Sequence, residues 1–286
     1  MSGILEETRF ILNKYNIKAN KSLGQNFLIN ENVVNTIVDC SEITERDLVI
    51  EIGPGLGTLT KYLLERAGKV ICIELDRKMV KILDERFKFY DNFSILNQDV
   101  LKVDLESLIK KEKNIKKIKN VKIVANLPYY ITTPIIMKLL EEKLDLESIT
   151  VMIQKEVADR LIAIPGDKDT GAITYSVYYY AESQGIMEVP KESFIPEPEV
   201  TSKVIKLNIR KNLPINVKDE KVMFKIIKSA FMQRRKTLLN ALTNTKVFIS
   251  KEEGIEILKK LGLDINVRAE KLTIEDYANI TNEILK

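Results

Sequence analysis

The chain has 286 residues, 45% of them hydrophobic and 30% charged, with a formal net charge of +4, two cysteines and no histidine. This composition is typical of a globular protein long enough for one large domain and a smaller one. The lack of histidine excludes a Ser-His-Asp triad, a histidine general base and most zinc hydrolase sites. We therefore expect chemistry that uses carboxylates, amides, the backbone or a cofactor, and no metal.

The two cysteines indicate the compartment. Cys40 and Cys72 have neither metal-binding nor disulfide spacing, so we expect them to fill the core of a protein kept in a reducing environment. The sequence shows neither a signal peptide nor a long uncharged apolar run. These features predict a cytoplasmic protein without a membrane segment.

Hydrophobic periodicity predicts an α/β fold that begins with a helix over 4–16, a basic loop over 18–28 and a helix over 31–39. Seven strands follow, at 49–52, 70–73, 93–97, 121–125, 149–154, 185–189 and 202–209, and the helices between them include 58–66, 76–88 and 155–164. Residues 171–183 fit a helix, although Tyr178 to Tyr180 fit a strand equally well. Strands separated by crossover helices give a doubly wound sheet, and the alternating last strand suits an antiparallel edge.

Strand signals stop after residue 209. Residues 211–219, which include Pro214, are typical of a linker, and helices are predicted over 220–243, 251–261 and 275–284. The sequence therefore predicts a seven-stranded α/β domain over 1–212 and a small all-helical domain over 213–286.

The turn after the first sheet strand is typical of a nucleotide-like ligand site. Gly53, Gly55 and a third glycine let the backbone turn sharply and approach a ligand closely. The next strand ends on Glu74, whose carboxylate can accept hydrogen bonds from both hydroxyls of a ribose. Pro54 and Thr58 depart from the dinucleotide pattern, which favours a ligand without a pyrophosphate, such as S-adenosylmethionine. The alternative is a plain strand-to-helix connection.

Two more stretches could contact that ligand. Asp99 follows the third strand at the carboxyl edge of the sheet, where it could bind an adenine amino group or simply cap a helix. The loop from Lys18 to Leu28 contains Lys21 and amide side chains, including Asn26, that could cover a ligand. The alternative for this loop is a solvated lead-in to the next helix.

The stretch Asn126-Leu127-Pro128-Tyr129 directly follows the fourth strand. Pro128 ends the strand and holds the residue before it extended, so the Asn126 amide and a carbonyl of Leu127 or Pro128 are fixed at the sheet edge. Acceptors at such positions suit the N6 amine of adenine, whose lone pair must be localised before it attacks a methyl group. Such a transfer depends on positioning and needs no general base.

A base inside a helix must leave its stack to reach such a site, and aromatic rings then hold it. Tyr129 and Phe194 are the candidates, and each stacked ring contributes on the order of 1 to 3 kcal/mol per base. Phe194 fits equally well as a core aromatic beside a proline turn.

Basic residues are concentrated near the start of the helical domain. Residues 203–236 contain eleven Lys and Arg and two acidic residues, whereas a solvated helix usually mixes both signs. A solvated helix face remains the alternative to a surface that holds RNA phosphates. The candidate RNA-binding residues are Lys221, Lys225, Lys228, Arg234, Arg235 and Lys236.

Five motifs, in this order and spacing, resemble the ribosomal RNA adenine N6-dimethyltransferase family. They are Gly24-Gln25-Asn26-Phe27-Leu28, Glu51 to Gly57, Asn126-Leu127-Pro128-Tyr129, Phe194-x-Pro196-x-Pro198-x-Val200-x-Ser202 and Phe231-x-x-Arg234-Arg235-Lys236-Thr237-Leu238. The resemblance implies a Rossmann-like methyltransferase sheet and an RNA-binding helical domain. It also implies an S-adenosylmethionine site lined by Asn26, Leu28, Gly53, Glu74, Asp99 and Asn126.

Within this family the sequence is most similar to the bacterial small-subunit enzymes. That similarity implies dimethylation of two adjacent adenines near the 3′ end of 16S rRNA, within the small subunit or its precursor, by a protein that we expect to be monomeric. The second interpretation is the macrolide-resistance type that methylates 23S rRNA, whose members typically carry isoleucine in place of Leu127. A third is a ribosome-assembly factor whose binding matters more than its catalysis.

Overall fold

The structure, a computed structural model, describes residues 3–20, 24–115, 118–167 and 169–286. The strands in these ranges are β1 (Phe27–Leu28), β2 (Asp47–Ile52), β3 (Lys69–Glu74), β4 (Phe93–Asn97), β5 (Asn120–Asn126), β6 (Ser148–Gln154), β7 (Ala181–Val189), β8 (Phe194–Ile195) and β9 (Ser202–Ile209). The α-helices are α1 (Ile4–Lys14), α2 (Glu31–Cys40), α3 (Thr58–Leu64), α4 (Arg77–Phe87), α5 (Leu105–Ile115), α6 (Thr132–Glu141), α7 (Lys155–Ile162), α8 (Ala172–Tyr180), α9 (Glu220–Met232), α10 (Leu238–Asn244), α11 (Lys251–Lys260) and α12 (Ile274–Ile284).

Seven strands form one sheet in the order β4-β3-β2-β5-β6-β9-β7. The five from β4 to β6 are parallel, and β9 runs antiparallel to β6. The predicted seven-stranded, doubly wound sheet is therefore confirmed. The prediction that the last strand lies at the edge was wrong, because β9 lies between β6 and β7. Because β3 and β5 flank β2, the strand order reverses at the carboxyl end of β2, which is where open α/β sheets bind ligands.

The buried strands explain why this sheet forms. Every residue of β2 and β3 is buried, as expected for parallel strands covered by helices on both faces. Two of those helices begin at side-chain caps: Asn30 accepts from the Val33 amide at 3.4 Å in α2, and Asp76 accepts from the Lys78 amide at 2.9 Å in α4. The start of each helix is thus fixed close to the carboxyl edge of a strand.

Two predicted boundaries were wrong. Residues 178–180 are helical, but α8 ends there and β7 starts at Ala181, four residues before its predicted start. The predicted helix over 220–243 is broken into α9 and α10, because Thr237 accepts from the Asn240 amide at 3.4 Å and starts a new helix. The sequence analysis also missed the two-residue strands β1 and β8, which pair antiparallel and are too short to show periodicity.

The chain divides into two compact units, residues 1–158 with 183–209 and residues 159–182 with 210–286. The second unit contains α8 to α12 and thus includes residues that the sequence pattern assigns to the first domain. In its core the Tyr175 ring packs on Tyr277 and Phe231, with centroids 5.0 and 5.6 Å apart. In the described ranges no helix is long and apolar enough to cross a membrane.

Candidate active site

The glycine turn connects β2 to α3 at the carboxyl edge of the sheet. Gly53, Gly55 and Gly57 have φ values of +67°, +57° and +81°, in the left-handed region that favours glycine. The Gly53 amide donates to the Ile73 carbonyl of β3 at 2.9 Å, which anchors the turn. At Gly57 a Cβ would lie 2.5 Å from the Phe87 ring, so the packing of α4 also requires glycine here.

Glu74 ends β3 beside this turn and is almost fully buried. One carboxylate oxygen accepts from the Gly55 amide at 3.2 Å, and the other accepts from the Asp76 amide at 2.8 Å. Burial raises the pKa of Glu74, although both backbone donors favour the ionised form. The glycine turn and the acidic strand end, which the sequence analysis combined, are therefore joined by a hydrogen bond.

A second carboxylate, Glu51, lies within β2 and lines the same cleft. It is buried and accepts hydrogen bonds from Thr60 Oγ1 at 2.6 Å and Cys72 Sγ at 3.5 Å. Burial raises the pKa of Glu51 to about 7. The sequence analysis gave this residue no role, although an acidic residue inside an apolar strand was a usable signal.

Asn126 ends β5, and its amide group faces the loop before β1. Its Nδ2 donates to the Asn26 carbonyl at 3.4 Å, which leaves Oδ1 as the acceptor of this side chain. Asn26 is itself held by a bond from its Nδ2 to the Gly24 carbonyl at 3.2 Å, and Gln25 donates to Asp76 at 3.0 Å. Lys21, part of the predicted basic loop, lies outside the described residues.

The backbone after Asn126 distinguishes two candidate carbonyls. The Pro128 carbonyl accepts from the Ile131 amide at 3.3 Å and from Thr132 Oγ1 at 3.0 Å. Since a carbonyl oxygen has two lone pairs, these bonds use the capacity of Pro128. Leu127 is held by a bond from its amide to the Met152 carbonyl at 3.1 Å. The Leu127 carbonyl is therefore the better acceptor for a ligand.

One cleft, with an empty volume of about 1060 Å³ including its open mouth, collects most of the predicted site residues. Its described lining contains three carboxylates and neither lysine nor arginine, which suits a ligand with positive charge and no phosphate. The predicted site residues that line it are Asn26, Leu28, Gly53, Gly55, Glu74, Asp99, Asn126, Leu127, Pro128 and Tyr129.

Asp99 lines the cleft and also caps a short helix. Its Oδ1 accepts from the Leu101 amide at 3.0 Å, at the start of the 3-10 turn Val100–Lys102. One carboxylate oxygen of Asp99 therefore caps the helix, as the alternative predicted, and the second oxygen is a candidate contact for the ligand.

Phe194 is placed differently from the other predicted site residues. It is 1% exposed, belongs to the hydrophobic core and pairs through β8 with Leu28 of β1. It is not among the residues that line the cleft. This is the placement of the core aromatic that the sequence analysis kept as an alternative.

The candidate RNA-binding residues all lie in the second unit. On α9 the lysines are exposed, while Met223 and Ile227 on another face are buried. The remaining basic residues follow α9 in the turn before α10 and are exposed as well. The exposed set is Lys221, Lys225, Lys228, Arg234, Arg235 and Lys236.

Some lining residues were missed, among them Leu75, Gln98 and Tyr130. Tyr130 is 54% exposed, and the second tyrosine after the proline was the available signal. Metal-binding clusters of three or more histidine, cysteine or acidic residues do not occur in the part of the chain that the structure describes.

Comparisons with known proteins identify the family. The chain matches the ribosomal RNA adenine dimethylase family over residues 16–286. It is 48% identical to Ribosomal RNA small subunit methyltransferase A of Alkaliphilus metalliredigens over 278 residues, which cover 97% of this chain and 96% of that protein.

Solved structures share the fold. A dimethyladenosine transferase from Plasmodium falciparum superposes with a TM-score of 0.74 at 26% identity, covering 91% of this chain and 97% of that one. The 23S rRNA methyltransferase ErmE has a TM-score of 0.67 at 21% identity, covering 91% of this chain and all (100%) of that one, a likeness of fold alone. The family match and the 48% identity together place the chain: it belongs to the ribosomal RNA adenine dimethylase family.

Proposed function

We propose that this protein uses S-adenosylmethionine to dimethylate the N6 amines of two adjacent adenines near the 3′ end of 16S rRNA, in the small ribosomal subunit or its precursor. The observation that carries the proposal is the convergence of Glu74, Asn126 and Leu127 on one cleft at the switch point of the sheet. The name of the 48% identical relative supports the choice of the small subunit. This substrate places the protein in the cytoplasm.

The cleft fits S-adenosylmethionine by the chemistry of its side chains. Glu74 would accept from the ribose hydroxyls, and the second oxygen of Asp99 would accept from the adenine amino group. Gly53 and Gly55 would let the backbone approach the ligand, and the acidic lining suits its positive charge. When bound, the cofactor supplies a methyl group on a sulfonium that is activated for in-line displacement.

Asn126 and Leu127 would bind the target amine. The Asn126 Oδ1 and the Leu127 carbonyl accept from the two N–H groups of the adenine, which localises the lone pair on nitrogen. The same acceptors stabilise the positive charge that develops on that nitrogen as it is methylated. Tyr129 lines the cleft beside them and offers a ring face to the extruded base. Phe194 would contribute only if β8 moved to expose its ring.

The helical domain would hold the RNA backbone. In this proposal residues 1–212 bind the cofactor and residues 213–286 contribute the exposed cations around Arg234, which neutralise phosphates without reading their sequence. The protein would act as a monomer, since every group of the proposed chemistry is supplied by one chain.

Methyl transfer to defined particles tests the proposal. Small-subunit particles with unmodified 16S rRNA should accept labelled methyl groups, whereas 23S rRNA should not. Labelling of 23S rRNA instead would favour the macrolide-resistance type. If particles mature normally with Asn126→Ala protein although they are not methylated, binding without catalysis is enough for assembly, which supports the assembly interpretation. The enzyme proposal is tested separately, by whether the wild-type protein labels small-subunit particles.

A further inference from the structure

A hydrogen bond joins two motifs that lie far apart in the sequence. The hydroxyl of Tyr129, directly after β5, lies 2.6 Å from Oγ of Ser202, the first residue of β9. Ser202 is completely buried, whereas Tyr129 is half-buried and lines the cleft. The bond therefore runs from the interior of the protein to the wall of the candidate site.

Ser202 is held firmly at its end of this bond. It pairs with Gln154 in the β6–β9 ladder, and the neighbouring Thr201 carbonyl accepts from the Lys155 amide at 2.9 Å. Tyr129 begins a 3-10 turn, so its backbone is fixed too. A tyrosine side chain has only two torsions. Because the hydroxyl oxygen lies on the rotation axis of the second torsion, a bond at the phenol end fixes the first torsion, and it biases the second only through the preference of the phenol O–H for the ring plane. The direction of the Tyr129 side chain, and with it the position of the ring in the cleft wall, is thus set before any base arrives.

The hydrogen bond between Tyr129 and Ser202 does not depend on pH near neutrality. Burial raises the pKa of Tyr129, so the phenol stays protonated through the physiological range. Both partners are neutral hydroxyls, and the bond does not titrate near neutral pH. No carboxylate is required to orient the ring.

We infer that Ser202 is a positioning residue for the nucleobase: through the Tyr129 hydroxyl it fixes the position of the ring against which the target adenine is held. This inference rests on the proposed function, because Tyr129 contacts a base only if the cleft accepts one. Preorganisation of this kind lowers the entropy cost of placing the amine in line with the methyl group. Loss of this bond should therefore lower the turnover and leave the affinity for the RNA backbone unchanged.

A double-mutant cycle separates positioning from ordinary stabilisation. Ser202→Ala and Tyr129→Phe each remove one hydroxyl and keep the rest of the side chain. Each should lower the single-turnover rate on small-subunit particles by about threefold to tenfold, the effect of one neutral hydrogen bond. The double variant should be no slower than either single variant, because both remove the same bond. Affinity for particles and for S-adenosylmethionine should change less than about twofold.

Ser148→Ala is the matched control. Ser148 starts the neighbouring strand β6, is equally buried, and its hydroxyl has no hydrogen-bond partner in the described structure. This variant should keep the wild-type rate. The inference would be overturned if the double variant lost rate additively, or if Ser148→Ala lost as much rate as Ser202→Ala. The Ser202 hydroxyl would then have only a structural role.

A measurement without RNA keeps this inference distinct from the proposed function. Relaxation of ¹³C-labelled tyrosine rings, with Tyr129 assigned through Tyr129→Phe, should show a more mobile ring in Ser202→Ala than in the wild type. A mobile ring together with a wild-type protein that does not label particles would refute the proposed function and leave the anchor intact. An equally rigid ring in Ser202→Ala would refute the anchor whatever the substrate.

Discussion

The backbone amide of Gly55 donates to the Glu74 carboxylate at 3.2 Å, so the side chain expected to hold the ribose also holds the glycine turn. Glu74→Ala removes both roles, and each hydrogen bond to a charged group contributes about 1.5 to 3 kcal/mol. We expect the variant to bind S-adenosylmethionine at least about tenfold more weakly in calorimetry. The exposed Asp91 provides the control, since Asp91→Ala removes the same charge away from the cleft. Unchanged affinity in Glu74→Ala would remove Glu74 from the cofactor site.

Asn126→Ala should lower the turnover of methyl transfer by about a hundredfold, the size of effect seen when one preorganised polar partner is lost. The reason is that Oδ1 of this side chain is the proposed acceptor for the target amine. Asn120→Ala is the comparison, because Asn120 lies at the opposite end of β5, where it donates to Asp47 at 3.1 Å. That variant should lose some stability and keep its turnover. Rapid-quench measurements on particles would show whether the two asparagines differ as stated.

The sequence predicted the sheet because its central strands are nearly continuous apolar runs that are buried on both faces, as in β2 and β3. It also predicted the turn and strand-end residues of the cleft, because glycine, proline and strand-end acids mark the carboxyl edge directly. It did not show that the Pro128 carbonyl is already occupied or that Phe194 lies in the core, since both depend on contacts between distant segments. The break between α9 and α10 was missed because apolar spacing continues through it, and only the Thr237 cap marks the new start.

Glu51 should make stability depend on pH. Burial raises the pKa of this carboxyl to about 7, so the folded chain binds its proton more tightly than the unfolded chain does. Its contribution is therefore fully present below about pH 4.5 and is lost as the pH rises through about 7. Glu51→Gln is neutral at every pH. As the pH rises from about 4.5 to about 7, its free energy of unfolding should therefore increase by about 3 kcal/mol relative to that of the wild type. Denaturant unfolding at several pH values would measure this, and parallel pH profiles of the two proteins would contradict it.

Gly57→Ala should destabilise the first unit more than Gly53→Ala. Both glycines have left-handed φ values, so each substitution costs roughly 1 to 2 kcal/mol from the backbone alone. At Gly53 the nearest atom to an added Cβ is 3.7 Å away, whereas at Gly57 the Phe87 ring lies at 2.5 Å. Overpacking should then add about 1 to 3 kcal/mol at Gly57 only. Urea unfolding followed by circular dichroism compares the two variants, and equal midpoints would show that α4 yields to the added methyl group.

Arg234 and Arg235 should hold RNA through its phosphates. Both are exposed in the turn after α9, the helix on which Lys221 and Lys225 are exposed as well. A cation that neutralises a phosphate releases counterions, and each adds roughly 0.7 to 0.9 to the slope of log affinity against log salt. Replacing both arginines with alanine should therefore weaken binding to small-subunit particles and flatten that slope by about one to two, while the affinity for S-adenosylmethionine stays unchanged. A double alanine substitution at the exposed residues 251 and 259, both lysines of α11, removes the same net charge elsewhere in the second unit. If the lysine pair changes the salt slope as much as the arginine pair does, the effect comes from net charge. If the arginine variant keeps the wild-type slope, Arg234 and Arg235 do not bind phosphates and belong to a solvated helix face.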